Sequence, residues 1–546
     1  MKVLILALNA RYIHTMLAAR CLKAAARDFG AEVCEQNVNL PLLQVLAEVF
    51  RRRPDVLAVP VYVFNAAFVK DLLPEVRKVL PEVRILVGGP EAGGDPEAFF
   101  PLADCVLRGE GEESFPAALG LIARGQPLPP LWEGGEIEDL DGLPDPYDEE
   151  YLAMSRDRIL YFESARGCPY GCAYCMSGRS RKTRTFSLKR VFSALERVLR
   201  ARPRLVKFTD RTFNADLPRA KRILAFLAGR AEGTEFHFEM APELFDEELF
   251  NLLDAPPKGT FRVEVGIQSF RPETLALCRR PMREERALEN LRRLCAMDDL
   301  TVHADLIAGL PGEGLASFRA GFDRLAACRP DELQLGFLKV LKGSELCERA
   351  GELGLVFSER PPYEVLRTPD LSFGELLRLK DAERGAEAFF AGGKYRGTLD
   401  FLCGPLSPFD LCEALGRGLI RPLSAVGKAD LLFQTALGLL GSKAHRPGVG
   451  GSAPSRRPGS SSSGRGEDLA DEERFEGTPF RCEDDSAAPL IDGKPQRGKL
   501  NPLPEDGKGG PAGSEISRRL AELIGEDFLR EGNVRPWRPP RNGPRV

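Results

Sequence analysis

A repeated alternation of short apolar segments with segments of helical period is the feature that most constrains the fold of this chain. In the first part, the apolar segments have the length of strands in a central sheet, and helical patterns separate several of them. The predicted strands are 2–8, 31–38, 56–61, 83–87 and 105–107, and the predicted helices are 14–29, 42–52 and 66–80. This spacing predicts a parallel, doubly wound α/β sheet of the Rossmann-like type, which binds ligands at the carboxyl ends of its strands.

A second series of the same kind begins at Arg158 and contains six further β/α units. Its predicted strands are 159–164, 205–209, 235–239, 262–267, 301–307 and 332–338, and its clearest predicted helices are 188–200, 217–228 and 284–297. Six units predict a partial (β/α)6 barrel. A closed eightfold barrel is the alternative, because a strand count from one sequence is easily off by one.

Changes in composition divide the 546 residues into five parts. We predict a first domain at 1–126, a linker rich in Pro, Gly and acidic residues at 127–157, the barrel at 158–345 and a mainly helical domain at 346–441. Residues 442–546 are rich in Gly, Pro, Ser and mixed charge, and we predict that they are largely disordered because they cannot bury enough apolar surface. Within this tail, helical spacing predicts one short helix that contains Ile516, Leu520, Leu523 and Ile524.

The charge balance and the hydropathy exclude several classes of protein. Lys and Arg number 76 and Asp and Glu number 80, so the formal net charge is −4 and no basic domain indicates a nucleic-acid partner. No apolar run reaches the roughly 20 residues that a membrane span needs. The run at 3–8 is too short for a signal peptide. We expect a cytoplasmic protein.

Three of the 13 cysteines are grouped on one short segment. Cys168, Cys172 and Cys175 follow the first strand of the second series with the spacing C-x3-C-x2-C. Three thiolates on a loop favour an iron–sulfur cluster, in which one iron has no protein ligand and is open to a cofactor or substrate. The alternative is a zinc loop with a distant fourth ligand, or three reduced structural cysteines.

This loop resembles the signature of the radical S-adenosylmethionine (SAM) enzymes, C-x3-C-x-aromatic-C, in which Tyr174 takes the aromatic position. The resemblance extends over roughly 158–340, through segments 208–214, 236–239, 263–269 and 305–313. It implies that the three cysteines are the catalytic metal ligands. It also implies that SAM is bound by residues of the cysteine loop and at the ends of the second to fifth strands of the second series. These residues are Tyr174, Asp210, Glu239, Glu264, Gln268, Ser269, Asp305, Gly309 and Pro311.

The resemblance also implies the chemistry. In this family a reduced [4Fe–4S] cluster gives one electron to SAM, and the resulting 5′-deoxyadenosyl radical abstracts hydrogen from a substrate. The electron comes from a donor such as a flavodoxin or a ferredoxin. The protein orients the cofactors and excludes water.

A doubly wound domain before such a barrel resembles the cobalamin-binding domain of the B12-binding radical SAM class. The resemblance implies that cobalamin contacts lie at the strand ends, at Asn9, His14, Tyr62, Gly88, Gly89, Glu91, Arg108, Gly109 and Glu110. The cobalt-ligand pattern D-x-H-x-x-G is incomplete, since Tyr12 and Leu17 stand where Asp and Gly are found, so ligation of cobalt by His14 is in doubt. The helical domain is similar to an uncharacterised subgroup of the class.

The resulting hypothesis is a cobalamin-dependent radical SAM enzyme that transfers a methyl group to an unactivated carbon of a small-molecule or lipid-like substrate. One alternative is a radical cyclase, rearrangement or oxidation enzyme in which cobalamin has another role or none. Another is a non-catalytic protein that binds metal or a corrinoid. A tRNA methylthiotransferase is disfavoured, because it needs a second cluster bound by three cysteines in the first domain. Here Cys21, Cys34 and Cys105 are spread over a predicted helix and two predicted strands, so no such cluster is evident.

Overall fold

The computed structural model describes residues 1–178, 182–420, 422–444 and 511–530. In the first unit, six parallel strands form one sheet in the order β2-β1-β3-β4-β5-β6. Its elements are β1 (Val3–Asn9), α1 (Leu17–Ala25), β2 (Glu32–Asn37), α2 (Leu42–Arg52), β3 (Val56–Pro60), α3 (Ala66–Val79), β4 (Arg84–Gly88), α4 (Pro90–Gly94), β5 (Cys105–Arg108), α5 (Gly111–Ala123) and β6 (Leu131–Glu133). The predicted doubly wound sheet is confirmed.

Strand β6 lies inside the segment that the sequence predicts as a linker. It pairs in parallel with β5, with Leu107 opposite Trp132. Pro127, Pro129 and Pro130 precede it and hide the strand signal, because proline clusters usually mark loops. The strand is on the edge of the sheet, where nearby prolines are tolerated.

The second unit is a curved sheet of six parallel strands that follow each other in chain order from β7 to β14, with the short hairpin β8–β9 outside it. Its elements are α6 (Glu149–Met154), β7 (Leu160–Phe162), β8 (Ala165–Arg166), β9 (Arg184–Thr185), α7 (Leu188–Ala201), β10 (Leu205–Phe208), α8 (Leu217–Ala228), β11 (Glu235–Met240), α9 (Glu247–Asp254), β12 (Phe261–Gln268), α10 (Pro272–Leu277), α11 (Glu284–Cys295), β13 (Thr301–Ala308), α12 (Leu315–Ala326) and β14 (Glu332–Phe337). Among the described strands β7 and β14 do not pair, so the partial barrel is confirmed over the closed eightfold one.

The barrel strands alternate between buried apolar and polar side chains. In β12, Phe261, Val263 and Val265 are buried against the outer helices, whereas Arg262 and Glu264 are on the other face. Successive side chains of a strand point to opposite faces, so the inner wall of the barrel is polar.

The C-terminal unit is mainly helical. Its elements are α13 (Glu345–Glu348), β15 (Val356–Phe357), β16 (Val365–Arg367), α14 (Phe373–Phe389), α15 (Arg396–Leu402), α16 (Pro408–Gly418), α17 (Ala425–Ala444) and α18 (Pro511–Arg530). Helix α18 confirms the predicted tail helix and packs on α15, where the buried Asp527 carboxylate accepts hydrogen bonds from the Thr398 amide at 2.8 Å and from its hydroxyl at 2.7 Å. The other residues of the predicted disordered tail lie outside the described ranges, except for the last turn of α17.

The first unit is joined to the open edge of the barrel. The Ile159 amide donates to the Ile13 carbonyl at 2.8 Å, and the Thr15 hydroxyl donates to the Ile159 carbonyl at 2.8 Å. The carboxyl ends of both sheets line one cavity. In the part of the chain that the structure describes, no helix has the length and hydropathy to cross a membrane.

Candidate functional site

The cysteine loop begins directly after β8 and is held by the β8–β9 hairpin. Gly167 has φ +85°, and a Cβ there would lie 2.1 Å from the Lys182 carbonyl oxygen. Only glycine fits this close approach of two backbones. The hairpin thus fixes the point from which the three cysteines project.

Polar side chains from the loops that follow β10 and α10 contact the cysteine thiols. Thr212 Oγ1 lies 3.4 Å from Cys168 Sγ, and Arg280 Nη1 lies 3.8 Å from Cys172 Sγ. Burial raises the pKa of the Cys168 thiol, and the Thr212 hydrogen bond lowers it in part. A hydroxyl and a guanidinium stabilise thiolate sulfur and tune an iron–sulfur cluster, so the donor set fits such a cluster.

None of the cysteines in the described ranges forms a disulfide. Within the same ranges, no three His, Cys, Asp or Glu side chains converge closely enough to share one metal ion. The cysteines of a [4Fe–4S] cluster do not need to converge on one point, because each binds a different iron atom.

Asp210, a predicted SAM contact, is buried and holds the start of the cysteine loop. Its Oδ1 accepts hydrogen bonds from the amides of Ser164 at 2.8 Å and Ala165 at 3.2 Å, and its Oδ2 accepts one from the Ser164 hydroxyl. The structure therefore gives this carboxylate local partners on the chain itself.

Three other predicted SAM contacts, Glu239, Glu264 and Asp305, lie side by side on the inner wall of the barrel. Lys207 Nζ is 3.1 Å from Glu264 Oε2 and 3.9 Å from Glu239 Oε1, and His237 Nε2 is 2.9 Å from Glu264 Oε2. Burial alone raises the pKa of Glu264, but the hydrogen bond from His237 and the charge of Lys207 outweigh it, so the pKa is well below its usual value.

Asp305 has the opposite electrostatic character. Burial, and after it the neighbouring charge of Glu264, raise the pKa of Asp305 well above the usual range. Its Oδ1 is inaccessible and has no hydrogen-bond partner among the described residues. Such a buried polar atom calls for a ligand or water partner, so the inner wall fits a polar cofactor.

The remaining predicted SAM residues lie in the cysteine loop and at the ends of β12 and β13. Gln268 has φ +72°, and Ser269 donates its hydroxyl to Glu313 Oε1 at 2.9 Å. Gly309 has φ +85° in the turn that also holds Pro311. Tyr174 packs near Arg280, and burial raises its pKa well above the usual value.

A cavity of about 810 Å³ lies between the carboxyl ends of the two sheets. Seven of the nine predicted cobalamin residues line it, namely Asn9, His14, Tyr62, Gly88, Gly89, Gly109 and Glu110. The barrel contributes Tyr161, Glu163 and Arg211, and Gly167 and Ser177 lie on either side of the cysteines. Its size and its position at the β1/β3 switch point of the sheet fit a large cofactor.

The other two predicted cobalamin residues do not line this cavity. Glu91 is buried and accepts a hydrogen bond from the Tyr363 hydroxyl of the C-terminal unit. Arg108 donates to the Gly93 carbonyl at 3.1 Å and pairs with Glu133 at 2.6 Å. Both side chains have partners on the chain itself.

His14 contacts the barrel through its ring. Its Nδ1 lies 2.8 Å from the Tyr161 hydroxyl. Burial lowers the pKa of His14, and the charges of Arg11 and Lys207 lower it further, so the ring is neutral near pH 7. Ligation of cobalt by His14 stays a prediction.

Two arginines that sequence reasoning missed join the two units beside the cysteine loop. Arg166 pairs with Glu110 at 3.1 Å and with Glu112 at 2.5 Å, and Arg184 pairs with Glu110 at 2.5 Å. Burial raises the pKa of Glu110, but hydrogen bonds from Arg184 and the Ile137 amide outweigh it and lower the pKa. The sequence signal that could have indicated Arg166 and Arg184 is their position on either side of the three cysteines.

Glu163 was also missed, although it directly follows β7 and lines the cavity. Burial raises the pKa of its carboxyl to about 7, while Arg166 at 3.0 Å opposes the shift. A carboxyl that titrates near neutrality at a cavity wall is a common feature of functional sites.

Three protein-family models match separate parts of the chain. The B12 binding domain matches residues 3–119, the Radical SAM superfamily matches 162–325, and Protein of unknown function (DUF4080) matches 351–417. The first two matches coincide with the two sheets whose carboxyl ends meet the cavity.

Curated relatives match over parts of their length. The cobalamin-dependent radical SAM methyltransferase TokK of Streptomyces tokunonensis is 26% identical over 367 residues, which are 58% of this chain and 52% of TokK. The hopanoid C-3 methylase of Methylococcus capsulatus is 31% identical over 208 residues, which are 33% of this chain and 39% of that protein. The chain thus spans about half or less of these relatives.

A solved structure has the same fold. The radical SAM methyltransferase TsrM from Kitasatospora setae, with cobalamin and a [4Fe–4S] cluster bound, has a TM-score of 0.53 and 19% identity and covers 66% of this chain and 78% of its own. The chain thus contains a B12 binding domain followed by a radical SAM domain, which is the combination that characterises the B12-binding radical SAM class. The cofactors of this class are cobalamin, SAM and a [4Fe–4S] cluster.

Proposed function

We propose that this protein is a cobalamin-dependent radical SAM methyltransferase that methylates an unactivated carbon of a small molecule. The observation that carries the proposal is the cavity of about 810 Å³, which the glycines after β4 and β5 share with Gly167 and Ser177 around the cysteines. A methyl donor and a radical generator can work on one substrate only if their sites open into the same space.

When bound, the cluster supplies the electron that cleaves SAM, and cobalamin supplies the methyl group. Cys168, Cys172 and Cys175 hold the cluster, while Thr212 and Arg280 donate toward the sulfurs of the first two. The inner wall with Glu239, Glu264 and Asp305 binds the polar groups of SAM. The Arg166–Glu110–Arg184 pairs hold the two units together and help to exclude water from the reacting atoms.

The polar inner wall also bears on the class of substrate. Lys207, His237 and Glu264 occupy neighbouring strands, where Lys207 and Glu264 form a direct ion pair and His237 Nε2 lies 2.9 Å from Glu264 Oε2. Placing an apolar molecule against such side chains would leave them without their water. An apolar substrate therefore does not lie against this wall, which we assign to SAM. We propose a small-molecule substrate, and a flavodoxin or a ferredoxin as the electron donor.

The test is electron paramagnetic resonance of anaerobically reconstituted protein after dithionite reduction, with and without SAM. The expected result is a [4Fe–4S] signal that changes when SAM is added. Cys172→Ala should abolish both this signal and SAM cleavage while cobalamin still binds, and the matched Cys295→Ala should behave as wild type, since Cys295 ends the outer helix α11. A silent sample that contains zinc, or SAM cleavage by Cys172→Ala, would contradict the proposal.

A further inference from the structure

The segment 363–370, here called the strap, belongs to the part of the chain that matches the family of unknown function. It runs beside residues 338–340, which directly follow the edge strand β14 of the barrel. The Val340 amide donates to the Tyr363 carbonyl at 2.9 Å, and the Val365 amide donates to the Leu338 carbonyl at 2.9 Å. Tyr363 and Val365 are 1% and 2% exposed, so this stretch is part of the core.

One end of the strap contacts the first unit immediately after the glycines at the cavity. The buried Tyr363 hydroxyl donates to Glu91 Oε1, two residues beyond Gly89. Burial raises the pKa of Glu91, and the Tyr363 hydrogen bond lowers it in part. Tyr363 has φ +59°, a left-handed conformation that residues with a Cβ rarely adopt. The fold therefore maintains a strained residue to make this contact.

A second contact supports the same junction. A Cβ on Gly94, at the end of α4, would lie 2.4 Å from the Lys342 carbonyl oxygen, so the two backbones touch. Lys342 Nζ lies 5.6 Å from the centre of the Tyr363 ring. Helix α4, which directly follows Gly89, is thus fixed against the strap and the chain beside it.

The other end of the strap contacts the turn after β13. A Cβ on Gly309 would lie 2.5 Å from Val365 Cγ1, and the Gly312 amide donates to Asp370 Oδ2 at 3.1 Å. Gly309 and Pro311 in this turn are assigned to SAM. The strap therefore contacts, within eight residues, the backbone beside both cofactor sites.

We propose that the strap couples the two sites, so that SAM bound at the Gly309 turn strengthens cobalamin binding at the Gly89 loop, with Tyr363 and Asp370 as positioning residues. The inference rests on the proposed function only in that both cofactors bind. Each ligand orders a backbone turn that the strap already holds, so the second ligand has less disorder to remove. Such coupling is reciprocal and is usually between 5-fold and 150-fold.

The experiment measures the Kd of hydroxocobalamin for the cluster-reconstituted protein, first without S-adenosylhomocysteine and then with a saturating amount of it. The Kd of S-adenosylhomocysteine is then measured without and with saturating hydroxocobalamin. Wild type should show the same tightening in both directions, at least about 5-fold. In Tyr363→Phe the ratio of the Kd without the second ligand to the Kd with it should be close to one. Glu91→Gln should keep the wild-type ratio, because its amide oxygen still accepts the Tyr363 hydrogen bond.

The matched control is Thr398→Val, which removes a buried hydroxyl–carboxylate hydrogen bond in the same C-terminal unit and should leave this ratio unchanged. Asp370→Ala tests the exposed end of the strap and serves if Tyr363→Phe fails to fold. The inference alone would be overturned if wild type bound both ligands but neither ligand changed the Kd of the other. It would also be overturned if Tyr363→Phe and Asp370→Ala both kept the full wild-type tightening of the Kd. No binding of cobalamin or S-adenosylhomocysteine to wild type would overturn the proposed function as well.

Discussion

The two parallel sheets meet one cavity with carboxyl ends of different character. In the first unit β1 and β3 are buried along their whole length, so a ligand meets mainly the ends of the strands and the loops beyond them. In the barrel, β12 alternates between buried and partly exposed residues, so the strand itself presents side chains to the interior. The same strand pairing thus yields a site formed mainly by strand ends and loops in the first sheet, and a site formed by side chains along the strands in the second.

The reason is the number of covered faces. A sheet with helices on both faces has no polar face, and its strands are continuous apolar runs. A sheet that curves into a partial barrel has helices outside and a cavity inside. We therefore expect the first site to be most sensitive to added volume at glycine and the second to be most sensitive to removed charge.

The largest effect is expected for Gly89→Ala. Gly89 has φ 93° and ψ 174°, a region open almost only to glycine, and the new Cβ would lie 2.7 Å from the Val61 carbonyl oxygen. We expect the Kd for cobalamin to rise at least about 10-fold, roughly 1.4 kcal/mol, while the cluster signal is kept. Titration with hydroxocobalamin measures the first and electron paramagnetic resonance the second.

Gly30→Ala is the control for Gly89→Ala. Gly30 also has a positive φ, 64°, but a Cβ there meets nothing within 4 Å, and it lies before the edge strand β2, at the amino ends of the strands and away from the cavity. It should cost about 1 kcal/mol of stability and leave cobalamin binding unchanged. Equal loss of binding in both variants would show that general destabilisation, and not the loop, is responsible.

An intermediate effect is expected for charge removal in the barrel. Glu264→Gln removes an ionised carboxylate that contacts Lys207 and His237, and should cost about 1 kcal/mol in the free energy of unfolding. Asp305→Asn should cost less, because the raised pKa keeps Asp305 protonated and an amide resembles that form. Denaturant unfolding of the two variants measures the difference, and a larger cost for Asp305→Asn would reverse the assigned charge states.

The smallest effect is a change in pH dependence at the turn after β13. Burial raises the pKa of Glu313 to about 7 from 4.5, against hydrogen bonds from Ser269 and Ser317. The folded protein keeps a proton that the unfolded chain loses in this range, so this group lowers the free energy of unfolding as pH rises from 4.5 to 7. Glu313→Gln should have a flatter Tm profile over this window in protein without cofactors. A parallel profile would show that Glu313 does not titrate there.

Much of the fold could be predicted because each signal is local. The apolar runs of β1 and β3, the alternation in β12 and the spacing of Cys168, Cys172 and Cys175 are all visible within a few neighbouring residues. Strand β6 could not be predicted, since its three residues follow a proline cluster and are stabilised only by pairing with β5.

The direction of side chains at the strand ends was beyond sequence reasoning. Asp210, Glu91 and Arg108 have the residue types and positions of cofactor contacts, yet the structure gives each of them partners on the chain itself. Their partners Ser164, Tyr363 and Gly93 lie 46, 272 and 15 positions away along the chain. No sequence pattern relates residues at such different separations.

The sequence by itself determined the order of the two sheets and the residue types that each offers, because periodicity and cysteine spacing are properties of neighbouring residues. Only the tertiary structure decided that the two sites share one cavity, that Arg166 and Arg184 join the units beside the cysteines, and that Tyr363 reaches Glu91 across 272 positions. The physical reason is that such contacts depend on how whole units pack, and buried polar groups take whichever partner that packing brings within hydrogen-bond distance.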